Sequence, residues 1–233
     1  MKTSIQSNVQ FAIPNKASKL ISILFIVCVA IIIGSCKKKE ETYTFKGIVT
    51  ETANGNPLSG CVVTLLSTSI SNGSYGSGFS TIGTTTTNAS GAYSFEIPVE
   101  KTIKFKLTTN KSNYFRYELE FDMNSIQNNI STNNITLDPE ATITIAAKNT
   151  MPFDGNDKIT FKYKGSTKAC AECCTNDVTT YTGTMVNDSI TCKIIGNTMA
   201  VIEYVSQKNN MPQIHLDSVY CPSFQKSRYQ INF

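Results

Sequence analysis

The chain has 233 residues, a formal net charge of +4, a single histidine and no tryptophan. Three of its 21 basic residues (Lys2, Lys16 and Lys19) precede residue 36 and none of its 17 acids do, so the remainder carries an excess of one positive charge. With Arg116 and Arg228 as its only arginines, that balance excludes the clustered cationic surface on which nucleic-acid binding depends.

Residues Leu20 to Gly34 are almost wholly apolar and end in Ile33-Gly34-Ser35-Cys36, followed by Lys37-Lys38-Lys39-Glu40-Glu41. A basic start, a short apolar middle and small residues at its end make a secretory signal, too short to span a bilayer comfortably. The junction resembles the lipobox of bacterial lipoproteins. That resemblance implies a signal peptide over residues 1–35, lipidation of Cys36 as the new N-terminus, and attachment to a membrane through that anchor. Removing 35 residues from 233 leaves 198, enough for one large or two ordinary β domains. Residues 36–42 read as the lipidated cysteine and a charged tether. Within it, Lys39-Glu40-Glu41 resembles the surface-export signal of Bacteroidetes lipoproteins. The expected location is the outer membrane, facing outward, with a periplasm-facing orientation as the alternative.

Beyond the tether, Tyr43, Phe45, Gly47 and Val49 alternate with Thr44, Lys46, Ile48 and Thr50, the period of two that marks a strand. Asn54-Gly55-Asn56-Pro57 is a turn cluster. Gly60–Leu66 is an apolar strand, Ser67–Gly83 a Ser/Gly-rich loop, and Asn88-Ala89-Ser90-Gly91 a second turn before a strand over Ala92–Pro98. Further strands are expected at Thr102–Thr109, Tyr114–Phe121 and Asn133–Leu137. The run Phe45-x-Gly47-x-Val49, Gly55-x-Pro57-Leu58-x-Gly60 and Thr85-x-Thr87-x-Ala89-x-Gly91-x-Tyr93-x-Phe95 resembles the carboxypeptidase regulatory-like domain. That resemblance implies a transthyretin-like (prealbumin-like) β-sandwich over residues 43–139.

Asp138-Pro139 reads as a boundary. Seven strands follow, at Ala141–Lys148, Lys158–Lys164, Tyr181–Val186, Ser189–Ile195, Met199–Ser206, Ile214–Tyr220 and Arg228–Phe233, and they suggest a second sandwich over residues 140–233 with a cysteine-rich loop. The expected fold class is therefore all-β, two consecutive β-sandwich domains after a lipoprotein signal peptide.

Peptidase activity does not follow from the resemblance. A zinc peptidase needs histidine and carboxylate ligands with a general base, and the chain has only His215. It lies in Ile214-His215-Leu216-Asp217, alternating opposite the apolar positions, and reads as a solvent-facing strand residue. No catalytic residue, cofactor or metal is expected. C-x2-C-C at Cys170, Cys173 and Cys174, joined by Cys192, Cys221 or His215, offers the alternative of a zinc site, but the paired knuckles of such sites are missing. Because export permits disulfides, at least one of Cys170, Cys173 and Cys174 is expected to pair with Cys192 or Cys221. Cys61 is expected to be a buried free thiol.

Asp154-Gly155-Asn156-Asp157 reads as a turn in preference to a calcium loop, lacking both EF-hand spacing and a bidentate glutamate. Tyr75, Phe79, Tyr114, Phe115 and Tyr117 are the candidates for a sugar-stacking platform. Asp188-Ser189-Ile190 and Asp217-Ser218-Val219 each resemble the O-glycosylation triplet of Bacteroidetes envelope proteins, making Ser189 and Ser218 candidate acceptors. The expected function is a non-catalytic, lipid-anchored binding or structural module whose partner is another envelope protein or a glycan. Its alternative is an accessory lipoprotein capturing glycan or peptide for an outer-membrane uptake system, and a hydrolase is a more distant third.

Overall fold

The computed structural model describes residues 41–71, 74–75, 78–98 and 102–233. Strand β1 (Thr42–Glu51) buries Tyr43, Phe45, Gly47 and Val49 and turns Lys46 and Ile48 outward. It pairs antiparallel with β5 (Ala92–Pro98), Phe45 opposite Phe95, and parallel with β8 (Ile130–Thr132) and β9 (Ile135–Leu137). The facing layer is built on β2 (Val62–Ser71), which pairs with β3 (Ser74–Tyr75), β4 (Ser80–Thr86) and β6 (Thr102–Asn110); β6 then pairs with β7 (Glu118–Asp122). Between the layers, Phe105 meets Phe45 at 4.8 Å and stacks on Phe121 at 5.6 Å. Val63, Leu65, Leu107, Ile135 and Leu137 complete this first core.

Two glycines are dictated by geometry. Gly91 has φ +72°, and a Cβ there would lie 2.4 Å from the Val49 carbonyl, so only glycine closes this turn. At Gly47 a Cβ would lie 1.9 Å from the Asn133 carbonyl, the same oxygen that accepts the Tyr93 hydroxyl at 2.7 Å.

The second sandwich begins with β10 (Glu140–Lys148), which pairs antiparallel with β13 (Asn187–Ile195) and parallel with β16 (Lys226–Asn232). Its facing sheet runs β12 (Thr179–Thr182), β11 (Lys158–Tyr163), β14 (Thr198–Lys208), β15 (Met211–Cys221). Ile143, Ile145, Ile159, Phe161, Ile194 and Ile202 fill the space between them. The protein is thus all-β, with two sandwiches in succession and a separate core in each. Among the described residues, no helix is long and apolar enough to cross a membrane.

Three expected elements differ. Much of Ser67–Gly83 is not loop: β2 runs on to Ser71, β3 follows, and β4 starts at Ser80. Serine and threonine serve a paired strand well, and here β2 is held on both sides by β4 and β6. The strand expected from Tyr114 starts only at Glu118, because Tyr114 and Phe115 turn toward Asp138–Glu140 instead. The strand expected over Tyr181–Val186 lies earlier, at Thr179–Thr182.

Phe45 is fully buried while Lys46 beside it is exposed. Phe45→Ala is expected to lower stability by about 3–5 kcal/mol and Lys46→Ala to stay within about 0.5 kcal/mol, read from denaturant midpoints.

Candidate functional site

The cysteines draw one loop onto the second sandwich. Cys170 bonds to Cys173, and Cys174 to Cys192 on β13. Lys193 organises the seam between them. Its N–H donates to the Glu172 carbonyl (2.7 Å), and its own carbonyl accepts from Cys174 N–H (2.9 Å). Its ammonium bridges Glu172 at 2.8 Å and Glu140 at 3.1 Å. These carboxylates raise the Lys193 pKa, Glu172 first, and the lysine lowers that of Glu172 in return. Cys221, a disulfide candidate by sequence, forms no bridge: it is buried in the core as a free thiol, and burial raises its pKa. Cys61 is likewise buried and free.

The open side of this sandwich lies along β15, which pairs only with β14 among the described strands. Register places Asp217, His215 and Gln213 opposite Ile202, Tyr204 and Ser206 on the inward face, and Ile214 and Leu216 on the outward one. The expected orientation of His215 is therefore reversed. Its ring stacks on Tyr204, 4.6 Å away and 13° from parallel, whereas Ile214 and Leu216 are 77% and 67% exposed. The physical reason is that β15 is an edge strand. Its inward face overhangs a groove of about 380 Å³, lined by Tyr204, Lys208, Met211, Gln213, His215 and Phe233 among others, so polar side chains are tolerated there. Nothing in the local alternation distinguishes that arrangement from its mirror.

Chemically the groove holds rings and a cation but no assembled triad. The Tyr229 hydroxyl donates to Asp217 Oδ2 at 2.7 Å, and Ser218 N–H donates to Asp217 Oδ1 at 2.7 Å. Both contacts lower the Asp217 pKa, the tyrosine's most; burial, then that same contact, raises Tyr229. The Asp217 carboxylate is thus engaged away from the imidazole, and among the described residues no hydrogen bond links His215 to Ser206 or Asp217.

At the groove's other end Lys208 donates to Asn149 Oδ1 (3.0 Å) and to the Met151 carbonyl. Asn149 Nδ2 donates in turn to Asp157 Oδ2 at 2.8 Å, which also receives Phe153 N–H at 2.7 Å. Asp157 is fully buried, and its pKa is lowered by the Phe153 N–H first, with Asn149, Asp154 N–H and Lys208 adding to it. The Asp154–Asp157 turn therefore spends this carboxylate on its own backbone, and Asp154 Oδ1 accepts from Asn156 N–H at 2.8 Å. Among the described residues, no three His, Cys, Asp or Glu side chains converge as metal ligands.

The aromatic candidates do not converge on one platform. Phe115 is buried, Tyr117 packs on the first core, Tyr114 meets Phe224 at 5.4 Å, and Phe79 lies beneath Lys106 at 4.6 Å; the Tyr75 side chain is outside what is described. Ser189 and Ser218 are both exposed on strands. Each has its N–H capped by the preceding aspartate, at 2.8 Å from Asp188 and 2.7 Å from Asp217. Cys36, Lys39 and Glu40 lie outside the described residues, and Glu41 is exposed. Sequence reading missed the outward apolar row of Met199, Ile214, Leu216 and Tyr220; the Ile-x-Leu spacing was the available signal, assigned to the wrong face.

No protein-family model matches the chain, and no curated protein does. Among solved structures it is similar to the Bacillus anthracis TIE protein, at 12% identity and TM-score 0.35, over 82% of this chain and 33% of that one. It is also similar to a streptococcal ancillary pilin, at 11% identity and TM-score 0.33, over 82% of this chain and 62% of that one. For the shaft pilin SpaA of Lactobacillus rhamnosus GG the values are 9% and 0.33, over 82% and 98%. The chain spans a third of the first and less than two thirds of the second. Scores this low bear on neither fold nor function, which rest on the pairing and side chains described above.

The two bridges differ in what they close. Replacing both Cys174 and Cys192 by serine is expected to cost about 3 kcal/mol, against about 2 kcal/mol for Cys170 and Cys173, because the longer loop regains more freedom; denaturant titration of the paired variants checks it. For Asp157 the depressed pKa means that the unfolded chain takes up a proton first on acidification. Its contribution is full above the unfolded carboxyl range near pH 4 and drains as pH falls through that range and below. Asp157→Asn is expected to lower Tm at pH 7, with the gap to the native protein narrowing as the pH falls below the unfolded carboxyl range.

Proposed function

We propose that this chain is a lipid-anchored, non-catalytic module of the bacterial cell envelope, held at the outer membrane by Cys36 and displayed outward by Lys39-Glu40-Glu41. In this reading residues 1–35 are removed as a signal peptide and residues 36–42 are the lipidated tether. Residues 43–139 form a carboxypeptidase regulatory-like, transthyretin-like spacer, and residues 140–233 carry the contact surface, with Ser189 and Ser218 as O-glycosylation acceptors.

The observation that carries the reading is the sequence Ile33-Gly34-Ser35-Cys36 placed a few residues before β1, the first strand of an all-β body. The bridges Cys170–Cys173 and Cys174–Cys192 suit an oxidising compartment. Among the described residues no nucleophile is hydrogen-bonded to His215, the chain's single histidine, and this favours binding over catalysis.

A second reading is an accessory protein that captures glycan or peptide beside an outer-membrane transporter. The ring-lined groove with Tyr204, His215 and Phe233 favours it, since such rings stack on ligands with apolar faces.

Metabolic labelling with a fatty-acid precursor is expected to mark the chain and to be lost in Cys36→Ser; a labelled variant would remove the anchor. Surface proteolysis of intact cells is expected to degrade the protein, and protection would place it facing the periplasm. Titration with envelope glycans that saturates, and weakens about tenfold in Tyr204→Ala, would favour capture over the structural role.

A further inference from the structure

We infer that this chain closes its own amide cross-link, in which the Lys208 side-chain nitrogen displaces ammonia from the Asn149 carboxamide beside the buried carboxylate of Asp157. Three elements bring these groups together. Asn149 directly follows β10, and its N–H is fixed on the Val186 carbonyl at 2.9 Å. Lys208 ends β14. Asp157 directly precedes β11, which sets Lys158 opposite Gln207 of β14. Continued by one residue, that antiparallel register brings Asp157 level with Lys208.

The carboxamide is oriented for the exchange. Its oxygen Oδ1 accepts from Lys208 Nζ at 3.0 Å, and its nitrogen Nδ2 donates to Asp157 Oδ2 at 2.8 Å and to the Gly183 carbonyl at 3.2 Å. With a cation at one end and two acceptors at the other, only one orientation of the amide is satisfied. The nucleophile therefore lies against the acyl end and the carboxylate against the leaving nitrogen. Cγ, the carbon to be attacked, is bonded to Oδ1, so turning the last lysine torsions brings Nζ onto it. Asn149 is buried and Asp157 fully so, which keeps water from competing as the nucleophile. The other contacts of the ammonium are neutral: the Met151 carbonyl, and the Phe233 ring at 5.6 Å.

The atoms balance without an oxidant or reductant. Lys208 gives a proton to the Asp157 carboxylate, and the neutral nitrogen adds to Cγ, forming the new C–N bond and moving the carbonyl π pair onto Oδ1. As the carbonyl reforms, the Cγ–Nδ2 bond breaks and Asp157 passes its proton to Nδ2. A second proton follows from the lysine nitrogen by the same relay, so the product amide keeps one hydrogen, Nδ2 departs as ammonium, and Asp157 ends as the carboxylate it began. Asp157 already accepts the N–H groups of Phe153 and Asp154, which makes it a weak base and the reaction slow. A bond made once per chain tolerates a slow step, and well-oriented neighbours react at an effective concentration of about 10⁵ M or more. Lys208, Met151 and Phe233 line the groove described above, which gives the ammonium its way out. The link joins the sheet of β10 to the facing sheet of β14 between residues 59 apart, and unlike the two bridges it is not opened by thiols.

Peptide mapping of the full chain by mass spectrometry, after reduction and alkylation, is the test. The expected result is a branched species that joins the Asn149 and Lys208 peptides, lighter than their sum by one ammonia, in most chains. Lys208→Arg keeps the cation without the nucleophile and is expected to abolish the branched species. Asp157→Asn is expected to leave most chains unlinked, with circular dichroism and the native bridges Cys170–Cys173 and Cys174–Cys192 unchanged. Separate Asn149 and Lys208 peptides at their full masses, from native chains in which those bridges have formed, overturn the proposal. So does ammonia loss confined to the Asn149 peptide, which marks cyclisation onto the backbone. Equal linkage in Asp157→Asn overturns the proton relay assigned to that carboxylate.

Discussion

The backbone of Asp138, Pro139 and Glu140 holds the two sandwiches together. The Asp138 carbonyl accepts from Phe115 N–H, the Pro139 carbonyl from Gly196 N–H and the Glu140 carbonyl from Phe224 N–H, while Glu140 N–H donates to Asn113. A connector with only one side satisfied would act as a hinge; this one is bonded to loops of both lobes. Lys168 adds an ion pair to Asp138 and lies over the Phe115 ring. Phe224 sits at φ 63°, a conformation that costs a bulky residue on the order of 1–3 kcal/mol. Its ring meets Tyr114 of the first lobe and its N–H meets Glu140, so that cost is borne where the lobes touch.

From that junction the rest of the second lobe follows as a problem of edges. Its sheets end in β13 and β16 on one side of the sandwich and β12 and β15 on the other. The edge at Lys193 is covered by the Cys170–Cys174 loop through backbone bonds, a bridge and an ion pair to Glu172, while Ser189 and Ser218 are capped by neighbouring aspartates. Hydrogen bonding satisfies these exposed groups more cheaply than further strands would. The stretch at Ile214–Leu216 is treated differently, since it keeps aliphatic side chains and free backbone groups together.

Much of the architecture was legible as a string of letters. Alternation in Thr42–Glu51 and Ala92–Pro98 identified both strands and their buried faces, because both are covered by the opposing layer and a one-residue slip would expose Phe45 or Phe95. The same rule misplaced His215. On β15 the inward face is only partly covered, so apolar content no longer marks the inside. Composition misled at Ser67–Gly83 for a related reason: small polar residues resemble filler until the strands that flank them supply a ladder.

By itself the sequence determined the β-rich class and buried faces such as those of Phe45, Phe95, Ile143 and Ile145, since hydrophobic period is a local property. The tertiary structure decided which cysteines meet. Cys174 and Cys192 are 18 residues apart and bond because the loop folds back onto β13, whereas Cys221 is fully buried and forms no bridge. It also decided which face of β15 looks outward and which of its backbone groups are free. Both depend on which strand ends up at an edge, a fact about neighbours that no local pattern contains.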